Sequence, residues 1–230
     1  MVIAIGTFAM FQSCSVTAIR GNGNLVTSEK SVSTFEKISN AGTAEVRYHA
    51  SEGYRIVVTV DENLEEYVEI STNNNVLYIG TKKNTNCSFT KFLVDVYCPV
   101  LTGISIAGSG DFEGVDKIVT STFTLSIAGS GNIEGTIECD NFSAKIAGSG
   151  SVTIAGTSKD ADMSISGHGN FNCIDFYIKN ASVNIAGSGN VNISVDDNLK
   201  VNIAGSGDIN YRGEPNIEKK IAGSGSVNKR

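Results

Sequence analysis

Two polar residue positions recur at a fixed interval along this chain and define the chemistry its surface can offer. Ser109, Ser130, Ser149, His168, Ser188 and Ser206 each stand between two glycines, and Asp111, Asn132, Ser151, Asn170, Asn190 and Asp208 follow two positions later. Stacked into files, such hydroxyls and amides can hydrogen-bond a glycan or protein ligand along a flat face. They can equally bond one another up and down a stack, solvating and pinning it. A nucleophilic hydroxyl needs a neighbouring base held by a third group. His168 is the one imidazole in the serine file and no acid partner is indicated, so it reads as a surface residue.

Other reactive types lack the arrangements their chemistry requires. Gly-Ser-Gly-Asp/Asn resembles calcium-binding β-roll repeats, but only Asp111 and Asp208 supply a charge at the equivalent site. Calcium wants six to eight oxygens, several charged, so no metal or other cofactor is expected. Glycoside hydrolysis wants two carboxylates about 5–10 Å apart. Asp160 or Asp162 could approach Glu138 or Asp140 one coil below, with neither Arg nor His nearby to complete a lyase set. Cys87, Cys98, Cys139 and Cys173 have no metal-ligand spacing. Cys139 and Cys173 suit buried apolar sites; a Cys87–Cys98 bridge stays open.

The element that positions the files is a repeat. Ala-Gly-Ser-Gly or a close variant starts at Ala107, Ala128, Ala147, Ser166, Ala186, Ala204 and Ala222, about 19 residues apart, and Ile19–Leu25 reads as a looser copy. Around one copy, Ala181, Val183, Ile185, Gly187, Gly189, Val191 and Ile193 share a parity, while Ser182, Asn184, Ser188, Asn190 and Asn192 share the other. A period of two is strand geometry. The glycines lie on the inward parity, where a side chain at a sharp bend would collide with the core. Identical motifs recurring in one chain direction predict parallel strands paired coil to coil, an all-β solenoid. At about 4.8 Å per coil, about ten or eleven coils would make a rod roughly 50 Å long.

Four segments divide the chain. Residues 1–13 read as a signal segment and 14–31 as a linker. The solenoid follows over 32–230, less regular to about residue 103 and built on Gly-Ser-Gly repeats from about 104. In the irregular half, Tyr54–Val60, Val76–Ile79 and Phe92–Tyr97 read as strands between Asn/Asp/Gly turns, and Glu62–Ile70 could hold one or two helical turns.

Net charge is −6, and no Lys/Arg cluster exceeds two neighbours, which excludes the electrostatic footprint of a nucleic-acid binder. The apolar run ending in Ser13-Cys14 looks like a lipoprotein signal, with Cys14 as the lipid attachment site, though no basic residue precedes it. It is too short to span a membrane.

Phe35–Ile38 leading into Gly42–Val46, Val76–Ile79, Cys98–Leu101, Tyr211–Pro215 and the Gly-Ser-Gly repeats together resemble the bacterial family described as "putative auto-transporter adhesin, head GIN domain". The resemblance implies a right-handed parallel β-helix in an envelope protein, often a lipoprotein, and brings no catalytic residues. The expected function is therefore a non-catalytic, lipid-anchored envelope module, periplasm-facing, that binds glycan or protein or acts as a scaffold. A polysaccharide lyase or hydrolase is the alternative.

Overall fold

The computed structural model describes residues 18–230, so Cys14 and the signal segment lie outside the described residues. Stacked parallel coils of about 19 residues form a β-solenoid of about 7 turns. On the Gly-Ser-Gly side, the internal files match residue for residue from coil to coil. Ile106, Ile127, Ile146, Ile165, Ile185 and Ile203 form one unbroken column, and all six are buried. A second column runs through Phe112, Ile133, Val152, Phe171, Val191 and Ile209. Alternation along each strand sends these side chains inward and the intervening Ser, Asn and Lys outward.

The core also repacks locally. Phe123 and Phe142 stack at 6.4 Å, and their file then narrows to Ala161 and Ala181. Phe176, in the coil that holds Ala181, turns inward and meets Phe142 edge-on at 5.0 Å. Big and small side chains thus trade places between coils, which keeps the interior filled.

Residues 50–102 depart from the expected stack. Val76–Thr81 pairs in parallel beneath Lys37–Gly42, and Phe92–Cys98 beneath Glu45–Ala50. The chain then returns to lay Gly103–Gly108 on the other edge of Lys37–Gly42. Spatial order therefore differs from chain order, and there are about 7 turns where division by 19 suggested ten or eleven. Antiparallel strands close this lower end: Arg55–Asp61 lies between Leu25–Lys30 and Phe92–Cys98, and Val68–Asn73 pairs with Val76–Thr81. The last pair is a hairpin whose two loop residues, Asn74 and Asn75, have φ of 49° and 64°, the left-handed pair of a type I′ turn. Among the described residues the helical content is one 3₁₀ segment, Glu62–Tyr67.

Two further expectations are corrected here. The stretch expected as a linker contains strands: Ile19–Arg20 pairs with Cys87–Ser88, and Leu25–Lys30 with Arg55–Asp61. These are edge strands with half-buried or exposed side chains, so the sequence lacks the strong alternation of a core strand. Ile19–Leu25 is also not a coil corner. Its glycines wrap the buried carboxylate of Asp61: a side chain on Gly21 would overlap that group, and Gly23 adopts φ +79° while its N–H donates to Asp61 Oδ1 at 2.9 Å.

Candidate functional site

The Gly-Ser-Gly corner is built by backbone contact between coils. Gly148 has φ +131°, a region L side chains avoid, and a Cβ there would overlap the carbonyl oxygen of Gly129 one coil below. At Gly150 a Cβ would meet the Gly131 carbonyl and Ile127 Cγ2. Gly150, the second glycine, is buried as the inward parity predicts, whereas Gly148 is half-buried and its obstacle is the neighbouring coil's backbone rather than the core. Between them, the N–H of Ser149 donates to Gly129 O at 2.9 Å. The same bond recurs from Ser130 to Gly108, His168 to Gly148, Ser188 to Gly167 and Ser206 to Gly187, each at 2.9 Å.

These corners hold the two polar files in different states. Ser109, Ser130, Ser149, His168, Ser188 and Ser206 are all exposed. Their backbone is fixed, yet among the described residues no protein hydrogen bond is made by their side chains. In the second file the side chains are engaged internally. Asp111 Oδ1 accepts both the N–H and Nδ2 of Asn132, at 2.9 and 3.0 Å. Asn170 Oδ1 accepts from Asn190, whose own Oδ1 accepts from the N–H of Asp208, and Asp208 Oδ1 accepts from Ser226. Ser151 Oγ accepts instead from Asn172 Nδ2 at 3.3 Å. The structure therefore pins itself with the second file and leaves the first open to solvent.

Three more amide ladders were not singled out from the sequence. Asn172, Asn192 and Asn210 form one, Asp160, Asn180 and Asn198 another, and Asn184 with Asn202 a third. Their signal is available in retrospect: asparagines of one parity recurring 18 to 20 residues apart.

The carboxylates considered for hydrolysis are engaged by cations and amides or stand in register with neutral residues. Asp160 stacks on Asn141 and Asp162 on Ser143. Asp140 pairs with Lys159, Glu138 with Lys117 at 2.9 Å, and Asp160 Oδ1 accepts from Asn180. Cys87, Cys98, Cys139 and Cys173 are free thiols, so Cys87 and Cys98 are not bridged. Near the lower end, His49 Nε2 lies 3.0 Å from Asp95 Oδ1. Its ring stacks on Tyr97 at 4.6 Å, and Arg55 covers Tyr97 at 4.0 Å, leaving neither face of that tyrosine free.

Solved structures share this architecture. A "putative lipid binding protein" from Parabacteroides distasonis is 31% identical, over 93% of this chain and 99% of that one, with a TM-score of 0.78. A "putative adhesin" from Parabacteroides merdae is 27% identical over 93% and 99%, TM-score 0.74. One from Bacteroides fragilis, at 22% identity over 93% and 100% and a TM-score of 0.84, supports the fold alone. No match is found among curated proteins. Residues 34–215 match the family described as "putative auto-transporter adhesin, head GIN domain", and the chain belongs to that family.

Proposed function

We propose that this protein is a non-catalytic module of the bacterial cell envelope that binds a glycan or protein ligand along its rigid outer face. The observation that carries this reading is the serine file, one exposed hydroxyl in every coil but the one that carries His168, each on a fixed backbone and free of protein partners. At about 4.8 Å per coil, it offers a regular array to a repeating polymer, on a backbone that the corner bonds already hold in place. The family's adhesin description supports an envelope or surface setting. The interior is filled by Ile, Val, Leu and Phe side chains, which leaves the exterior to do the binding.

Attachment to the membrane through an acylated Cys14 belongs to the same proposal. Ile19 already pairs with Cys87, so only Ser15–Ala18 would separate the lipid from the folded lower end. Fully extended, those residues span at most about 14 Å, holding the cap close to the bilayer, on the periplasmic side.

Binding of the full chain to arrayed glycans, to envelope protein extracts and to anionic or zwitterionic vesicles tests the reading. The expected result is saturable capture of a glycan or protein that weakens when Ser149 and Ser188 are both changed to Ala. Capture by vesicles alone would favour the description attached to the Parabacteroides distasonis relative and overturn this one. Mass spectrometry of the native N-terminus checks the anchor, and protease treatment of intact cells checks its side.

A further inference from the structure

Away from the Gly-Ser-Gly corner, on the opposite bend of the coils, lies a cleft of about 480 Å³ whose lining includes Val119, Glu138, Asp140, Tyr177, Lys179 and Asp196. We propose that this cleft is a binding site for a neutral saccharide, with Tyr177 as the stacking platform; the inference rests on the binding-module reading and assigns it a second, separate site.

The placement of Tyr177 is the first observation. Parallel register holds without interruption on the Gly-Ser-Gly side, yet it shifts between Thr153 and Gly156 and again between Cys173 and Tyr177. Bulges of this kind re-aim side chains and collect beside binding sites. Here the bulge sends Phe176 fully into the core and leaves the next ring, Tyr177, 55% exposed. Tyr177 stands in one vertical file with Thr157, Glu138 and Val119, and Val119 is 63% exposed. Between Val119 and Tyr177 the file therefore carries exposed apolar surface on either side of two polar groups, before it continues to Ser194.

The state of the polar groups is the second observation. Glu138 and Asp140 are committed to Lys117 and Lys159. Among the described residues, the Tyr177 hydroxyl, Lys179 and Asp196 have no hydrogen bond or ion pair with the protein. One donor cation, one acceptor anion and one phenol thus remain unspent around the cleft.

Chemistry selects the ligand class. A pyranose ring presents electron-poor C–H groups on one face and hydroxyls on its rim. The first suits the negative face of an aromatic ring, the second an ammonium and a carboxylate. The ion pairs cancel and the two free charges oppose each other, so the cleft offers no net attraction to a polyanion. The cleft is shallow and open, which suits a short stretch of a longer chain lying across it.

Calorimetric or NMR titration of the full chain with cellotetraose, maltotetraose, mannotetraose and, as the acidic probe, tetragalacturonate tests this. The expected result is binding of at least one neutral tetrasaccharide. Tyr177→Ala should weaken it at least about tenfold and Tyr177→Phe less than about threefold. Asp196→Asn should weaken it by an intermediate factor, with thermal unfolding of all three variants unchanged. Binding of none of the neutral probes, preference for the acidic one, or affinity indifferent to Tyr177→Ala overturns the inference. If affinity instead falls only in the Ser149→Ala, Ser188→Ala double variant, the serine-face reading survives and this cleft does not. Capture of a protein at Tyr177 would also overturn it, while leaving the binding-module reading intact.

Discussion

Asp61, fully buried, accepts the backbone N–H of Thr90 at 2.8 Å across 29 residues of chain. The Thr90 hydroxyl and the N–H of Gly23 also donate to it, so one carboxylate ties the N-terminal segment to the loop before Phe92–Cys98. Burial works to raise its pKa, but the bonds from Thr90, Gly23 and Lys91 together outweigh burial and hold it below the usual carboxylate value. A depressed pKa stabilises the fold above the unfolded-state pKa of about 3.9, and that contribution is lost as pH falls through the folded value. Asp61→Ala should cost at least about 2 kcal/mol in urea unfolding at pH 7 by baring buried donors. Asp61→Asn should flatten the acid limb of the stability profile relative to wild type.

Gly148 and Ser149 are chain neighbours with opposite expected sensitivity. Gly148→Ala forces a side chain into positive φ and onto the Gly129 carbonyl, so a loss of about 3 kcal/mol is expected. Ser149→Ala removes an exposed hydroxyl without a protein partner and should cost under about 0.5 kcal/mol. Equal losses in denaturant melts would contradict the geometry of the corner.

Lys219 occupies the inward position that Val201 holds in the coil below, and it is exposed. A charge on the inward face of an edge strand discourages another strand from pairing there. Lys219→Val should make sedimentation concentration-dependent at neutral pH through self-association, with the wild type unaffected. A monomeric Lys219→Val protein would show that the charge is not what protects this edge.

Burial pushes both the Cys98 and Cys173 thiols up to about 12. At pH 8.5 neither should be alkylated by iodoacetamide in the native protein, and both should react after unfolding without reductant. A Cys87–Cys98 crosslinked peptide in the non-reduced digest would refute the free thiols.

The repeated half was readable because one period carried three independent signals. Alternation gave the strand, the glycines gave the corner, and recurrence in one direction gave the parallel stack. The lower end was not readable in the same way. Asn74-Asn75 does mark a two-residue hairpin, but nothing local says that Val76–Thr81 slides beneath Lys37–Gly42, since that pairing joins residues far apart in sequence. Asn40 makes the same point: it stands in the buried isoleucine column, where its Nδ2 bonds Ala44 O at 2.7 Å, and its type alone suggests the surface. The serine and asparagine files were legible as positions. Which of them spends its hydrogen bonds internally depends on distances between coils.

The uneven distribution of register has a consequence for how such a chain can change. On the glycine side every rung is locked to its neighbour, so a single inserted residue would throw all later side chains onto the wrong face. On the Tyr177 side, bulges already absorb unequal coil lengths. The molecule behaves like a bound book: a rigid spine and a free fore-edge. Whole coils can be added or removed at the spine only as complete pages, while new loops, and with them new specificities, can be written along the fore-edge one residue at a time.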